Sequence, residues 1–396
     1  MTTKDTQCVH SGAMHNPIQP GAVSPVVLAT AQPYLDVENV VYPRYFNLPN
    51  QLVVANKIKE LEQAEDALVF GSGMAAISTS LLSQLKTGDH AVFQNSIYGG
   101  TKHMVLTMFD NLGIEYSFTA GTAVTDFEAL LQANTRLIYI ESPSNPLLQI
   151  TDIKGIAQLA KASGILTAID STFASPILQN PFQLGIDLVL HSATKYLGGH
   201  SDICAGVVAG SKEKVDQIRK YARCLGGSLD GNTSYLLERS IKTLSTRVEK
   251  QTANALKIAT ELEKMPGIRQ VLYPGLPSHP QHELARQQMR GFGAMIAFEL
   301  ENGADPIAFQ KQLKIIAPTV SLGGVESTIC SPYLTSHCHF PKVEREKMGI
   351  SDELLRLSVG IESAEDLLQD ITQALKPYKK RNPGPPSKLI FKGQTG

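Results

Sequence analysis

Residues 165–199 read ILTAIDSTFASPILQNPFQLGIDLVLHSATKYLGG. Two apolar runs, ILTAID and DLVLHS, each end in polar residues, and Lys195 follows the second almost at once. Short continuous runs rich in Ile, Leu and Val read as strands buried on both faces, the pattern of a parallel sheet covered by helices. In such sheets functional groups collect at the carboxyl ends of the strands. An ionised Asp170 there is costly unless a cation meets it, although an aspartate in that place also serves as a simple turn cap. A lone lysine is ordinarily a solvated surface residue. Desolvated at a strand end, its amine loses proton affinity and becomes nucleophilic.

The same alternation extends outward from this stretch. DALVF, HAVFQ, IEYSF, RLIYIES and AGVVAG read as further strands, with helices over 73–85, 101–112 and 152–164 between them. One long helical stretch without proline covers 232–265. After Pro266-Gly267 the strands IRQVLYP, AMIAFEL and ELLRLSVG mix with helices near 305–313 and 363–376. The expectation is an α/β fold: a mostly parallel sheet in a large domain over 61–250, then a smaller C-terminal α/β domain over 251–377. The first 60 residues, rich in Pro and Gly, read as an irregular arm contacting a neighbouring subunit. Residues 378–396 read as a loose tail.

Bulk properties exclude several classes. The 396-residue chain sets 36 Lys and Arg against 37 Asp and Glu, which leaves no electrostatic footprint for nucleic acid or an anionic membrane. No run is long enough to span a bilayer, and the N-terminus has no apolar signal-type segment. Five scattered cysteines without a CxxC point to reduced thiols and a cytoplasmic setting. Cys330, His337, Cys338 and His339 are spaced too irregularly to read as a metal site, so no metal is expected.

VFGSGMAA (69–76) places Gly71, Ser72 and Gly73 between a strand and a helix, where consecutive amides can cradle a phosphate or merely form a tight turn. The segment also matches G-x-G-x-x-A, but the next strand, HAVFQN, ends without the acidic residue that holds a ribose. One sheet thus supplies a glycine cradle, the strand-end Asp170, and Lys195 flanked by the hydroxyls of Ser192 and Thr194. A phosphate pocket, a partner for a cationic ring nitrogen and an aldehyde-reactive lysine together describe pyridoxal 5'-phosphate.

Seven motifs in consistent order carry a family resemblance: SGM (72–74), YGGT (98–101), ESPSNP (141–146), SATKYLGGHSD (192–202), YPGLPSHPQHELA (273–285), SLGGVES (321–327) and LLRLSVGIE (354–362). They resemble the Cys/Met-metabolism family of pyridoxal-phosphate enzymes over about residues 6–376. The resemblance implies the fold of aspartate aminotransferases, with Lys195 carrying the cofactor and Asp170 pairing with its ring nitrogen. Tyr98 would stack on the ring and serve as an acid. Gly73, Met74, Thr172, Ser192 and Thr194 would hold the cofactor, and Tyr42 and Arg44 would reach the phosphate of an adjacent subunit. Arg356, helped by Asn145 and Ser321, would bind the substrate carboxylate.

The implied activity is γ-elimination on a sulfur amino acid by a homotetramer of paired dimers. γ-Replacement on an activated homoserine and β-elimination from cystathionine are the alternatives. A nucleotide-dependent oxidoreductase built on GSGMAA, and a non-catalytic relative, are rivals from other classes. The second should have lost Lys195, Asp170 or Arg356, and all three are present. YPRYFNLPN (42–50) and GGSLDGNTSYLL (226–237) depart from the family pattern. Gly100 resembles the cystathionine-processing members and Val320 departs from them, so the substrate stays open.

Overall fold

The computed structural model describes residues 2–14, 21–338 and 340–376. The tail expected over 378–396 and His339 lie outside the described residues. Strands β1 (Asp66–Phe70), β2 (His90–Phe93), β3 (Glu115–Phe118), β4 (Thr135–Glu141), β5 (Leu166–Asp170), β6 (Leu188–Ser192) and β7 (Gly206–Gly210) form one sheet in the order β1-β7-β6-β5-β4-β2-β3. β7 runs antiparallel to both of its neighbours, while the β6-β5-β4-β2-β3 pairings are parallel. The mostly parallel α/β fold expected from the sequence is what forms.

The apolar runs are continuous because both faces of this sheet are covered. On β4, Leu137 and Tyr139 join the core on one face, and Ile138 and Ile140 join the core on the other. All four are fully buried. Truncating one of them, as in Ile138→Ala, is expected to cost about 2–5 kcal/mol, because the close-packed layer cannot collapse around the gap.

A second, smaller sheet comprises β8 (Ile268–Leu272), β9 (Met295–Leu300), β10 (Ala317–Pro318), β11 (Thr328–Cys330) and β12 (Leu354–Ser358), in the order β10-β11-β12-β9-β8. Its apolar residues, with Leu355 and Phe298 fully buried, belong to the same core cluster as Ala193 and Leu197 beyond the end of β6. That shared core fixes the small sheet against the strand ends of the large one.

Two expectations require correction. The stretch over 232–265 is two helices, Gly231–Ile241 and Leu244–Leu262. The break is filled by Arg247, whose buried guanidinium donates to the carbonyls of Ser240 and Tyr196, both at 2.9 Å, and to the Thr243 hydroxyl at 3.2 Å. The Ser240 carbonyl, which a continuous helix would consume, is satisfied by that side chain instead. The first 60 residues are also not irregular throughout. Helix α1 (Lys4–His10) buries Cys8, and helix α2 (Pro49–Glu62) starts inside the expected arm. The fully buried Lys57 of α2 donates to the carbonyls of Cys8 and Val9 and so fastens the end of α1. Both ends of the arm are docked on their own chain, while Leu28, Tyr34 and Leu35 between them remain exposed.

Candidate active site

A cavity of about 450 Å³ opens where β4, β5 and β6 end, between the two sheets. Glu141, Asp170 and Ser192 are the last residues of those three adjacent strands, so pairing in one parallel sheet brings them side by side.

One wall is the start of helix α3 (Gly73–Gln84). Ser72 caps it, its hydroxyl accepting the amide of Ala75 at 3.0 Å. The amides of Gly73 and Met74, first in the helix, have no intrahelical acceptor and face the positive end of the helix dipole. Gly73 is dictated by a close approach: a Cβ there would lie 2.9 Å from the Cβ of Ser192. Ser192 and Thr194 line the opposite side of this cradle. Thr194 is held by accepting the amide of Ala205 at 3.0 Å while its hydroxyl donates to the Ala205 carbonyl.

The floor is acidic. Asp170 is buried and accepts from the Thr172 amide at 3.0 Å and from the Thr172 hydroxyl at 2.5 Å. That hydroxyl in turn accepts the Ser192 amide at 2.8 Å. Both Thr172 bonds fall on Oδ1, which leaves Oδ2 to the cavity. Burial raises the Asp170 pKa, and the Thr172 bonds oppose that rise. Glu141 lies beside Asp170 in register, and its pKa is driven well above the carboxylate range by burial and then by the Asp170 charge.

Lys195 faces this floor from the turn after β6, its ammonium donating to the Ser321 hydroxyl at 2.7 Å. Its pKa is lowered, chiefly by burial and then by the Arg356 charge. Arg356, on β12, is buried; it donates to Asn145 Oδ1 at 2.8 Å and to the Ser321 carbonyl at 3.4 Å. Among the described residues no carboxylate lies within ion-pair distance of it. A buried guanidinium without a carboxylate partner is an anion site in waiting. Ser321 holds φ at +78°, a left-handed conformation that a non-glycine residue keeps only where its surroundings impose it. Tyr98 precedes helix α4 (Gly99–Leu112), which starts at Gly99 rather than 101. Its ring folds back over Gly100, where a Cβ would lie 2.5 Å from Cε1.

Eleven of the expected residues therefore meet in one cavity: Gly73, Met74, Tyr98, Asn145, Asp170, Thr172, Ser192, Thr194, Lys195, Ser321 and Arg356. Tyr42 and Arg44 do not. Arg44 donates to the Arg223 carbonyl and lies against the rings of Tyr42 and Tyr45, outside the cavity of its own chain. The sequence reading assigned nothing to Glu141, Cys204, Thr335 or Ser336, which also line the cavity. Glu141 was within reach of the rule that found Asp170, since it too closes an apolar strand. Thr335 and Ser336 close no strand and carry no such signal.

The cavity thus combines helix-start amides and the Ser192 hydroxyl for a phosphate, a buried carboxylate for a cationic ring nitrogen, and a lysine of lowered proton affinity for an aldehyde. Pyridoxal phosphate fits that donor set. The model of the Cys/Met metabolism PLP-dependent enzymes matches residues 5–376. The chain belongs to this family.

Known proteins agree over most of the chain. The cystathionine gamma-lyase of Bacillus subtilis is 45% identical over 336 residues, 85% of this chain and 88% of the relative. A cystathionine beta-lyase of Lactococcus lactis is 42% identical over 385 residues, 95% of this chain and 100% of the relative. The crystal structure of cystathionine gamma-lyase from Lactobacillus plantarum, complexed with L-serine, superimposes with a TM-score of 0.92 at 38% identity, covering 96% of this chain and 100% of that one. The protein is a pyridoxal-phosphate-dependent carbon–sulfur lyase of cysteine and methionine metabolism. No helix among the described residues is long and apolar enough to cross a membrane.

Proposed function

We propose that this enzyme carries out γ-elimination on a sulfur amino acid, with Lys195, Tyr98 and Asp170 as its catalytic residues. The observation that carries the reading is the placement of Lys195 and Arg356 on the same residue: one bonds the Ser321 hydroxyl, the other its carbonyl. A substrate carboxylate bound by Arg356 and Asn145 therefore brings its α-carbon to the Lys195 amine. Gly73, Met74, Ser192 and Thr194 would hold the cofactor phosphate, Asp170, oriented by Thr172, would meet the ring nitrogen, and Tyr98 would stack on the ring. When bound, the cofactor supplies the electron sink that makes the α-proton of an amino acid acidic. Lys195, with its lowered pKa, takes that proton and returns protons to the neighbouring carbons. Tyr98 donates a proton to the departing sulfur.

Release of 2-oxobutanoate from cystathionine, methionine or homocysteine tests the assignment. The likeness to cystathionine beta-lyase favours β-elimination as the second reading, and pyruvate in place of 2-oxobutanoate from cystathionine decides for it. γ-Replacement is the outcome if an activated homoserine is consumed only when cysteine is added.

We place the enzyme in the cytoplasm as a tetramer of paired dimers, with 61–250 as the cofactor-binding domain and 251–377 as the small domain. Arg44 and Tyr42 complete the phosphate site of an adjacent subunit, which accounts for a cationic arm outside its own cavity. Mixed Arg44→Ala and Lys195→Ala subunits should regain activity, because a hybrid dimer contains one intact site. No gain after verified subunit exchange rules the shared site out.

A further inference from the structure

Glu141 has no part in the cofactor and substrate handling described above, yet it is 4% exposed and lines the cavity. Its two oxygens are divided between two functional segments. Oε2 accepts the amide of Tyr98 at 2.7 Å, and Oε1 accepts the amide of Asn145 at 2.8 Å. Tyr98 immediately precedes helix α4, and Asn145, in the loop after β4, orients Arg356 through its side chain. These two segments meet on this one carboxyl group. Burying a carboxyl group to satisfy two amides is costly when a smaller neutral acceptor would do.

We propose that Glu141 is a positioning residue that holds the Tyr98 ring and the Asn145–Arg356 pair in one fixed relative geometry. The ring above the cofactor and the guanidinium beside it then move as a unit. The proposal rests on the lyase reading, which gives Tyr98 and Arg356 their roles. Burial and then the in-register Asp170 raise the Glu141 pKa, and the Tyr98 and Asn145 amides, then Arg356, oppose that rise. Tyr139, on the same strand, has its pKa raised by burial and then by the Asp170 and Glu141 charges. A neutral carboxyl group still offers an acceptor oxygen to each amide.

The test uses the holoenzyme. Glu141→Gln presents one carbonyl oxygen and one amino group, so at most one of the two amides keeps its acceptor. The variant should retain full cofactor stoichiometry while the circular dichroism band of the bound cofactor changes about twofold in amplitude, because the ring's surroundings shift. KM should rise and kcat fall, each about tenfold. Combined with Asn145→Ala, the losses should be less than additive, since both changes release the same segment. Glu141→Asp retreats from both amides by one methylene and should show the same pattern. Either variant with an unaltered band and kinetic constants within about twofold of wild type overturns the proposal. If neither variant folds, Glu141 serves the fold rather than the site, and the proposal fails. A wild-type protein that takes up no cofactor or eliminates no sulfur product sinks the lyase reading instead, so the two failures are distinguishable.

Discussion

The floor of the cavity is made from the ends of adjacent strands in one parallel sheet, whereas its rim is made from connections of the smaller sheet. Glu141, Asp170 and Ser192 are fixed by strand pairing and by hydrogen bonds that tie neighbouring strand ends to one another. The rim residues Thr335 and Ser336 belong to the segment after β11, and they reach the floor only by landing on α4. The floor is therefore rigid by construction, and the rim is only as rigid as its contacts. Chemistry placed on the floor and selectivity placed on the rim is the division of labour this difference supports.

The sharpest way to break the comparison is at the floor. Lys195→Ala should lower turnover by at least about 10³-fold, because the group that moves the α-proton is gone. Borohydride treatment of wild type followed by peptide mapping should place the pyridoxyl adduct on Lys195; an adduct on another lysine would falsify the assignment. Asp170→Asn keeps the shape but removes the negative charge offered to the ring nitrogen. A loss in kcat of about 10²-fold is expected, on the scale of one preorganised electrostatic partner. Near-normal turnover in a folded, cofactor-loaded variant counts decisively against that role.

Two glycines separate floor from rim at lower amplitude. Gly73→Ala puts a Cβ 2.9 Å from Ser192 Cβ and wedges the phosphate cradle open. Gly99→Ala puts one 2.3 Å from the Ser336 carbonyl oxygen and lifts the rim off α4. The first should weaken cofactor retention, read by dialysis against buffer. The second should leave retention unchanged and raise KM about tenfold, about 1.4 kcal/mol of substrate binding. If both variants lose cofactor equally, floor and rim are not separate devices.

The same contrast explains what could be read from the sequence. ILTAID and IDLVLHS announce their strands and their endpoints, so Asp170, Ser192 and Lys195 stand where a general rule about parallel sheets puts functional groups. Gly73 is legible as a glycine between strand and helix. Glu141 was equally legible and was passed over, because a carboxyl group that accepts two amides leaves no trace in composition or spacing. Arg356 and Ser321 come from a different sheet. Nothing local joins RLSV to ATKYL: in the sequence only the family resemblance links them, and in the fold the core that the small sheet shares with Ala193 and Leu197 does so. The break between the helices at Lys242–Thr243 was illegible for a similar reason: the side chain that fills it, Arg247, acts through space on Tyr196.

The smallest expected effect concerns protons, where floor and rim should respond to pH in opposite senses. His337, on the rim, is fully buried, and its pKa is depressed to about 4 by burial and then by the charges of Arg356, Lys102 and Arg345. Its neutral ring bonds the Ser336 hydroxyl at 2.9 Å. Between the ordinary 6.5 and about 4 the unfolded chain binds a proton that the folded chain refuses. Stability from this residue is complete above that window and falls as pH drops through it, by roughly 2–3 kcal/mol. On the floor, Asp170 and Glu141 have raised pKa values, so the folded protein without cofactor holds protons that the unfolded chain releases. Stability from that pair is present at low pH and is lost as pH rises above the ordinary carboxylate range. A cationic ring nitrogen against Asp170 removes part of that loss, so cofactor binding should flatten the alkaline limb and leave the acid limb alone. His337→Asn keeps an acceptor for Ser336 and removes the titrating ring. Its acid limb, followed by urea unfolding from pH 7 to pH 4, should be shallower than that of wild type by about one proton. The buried His279, also depressed to about 4, and His90, lowered chiefly by burial, contribute to the slope that remains. An acid limb of unchanged steepness in His337→Asn would mean that the rim opens before its histidine titrates, and that the rim is not held closed in the folded protein.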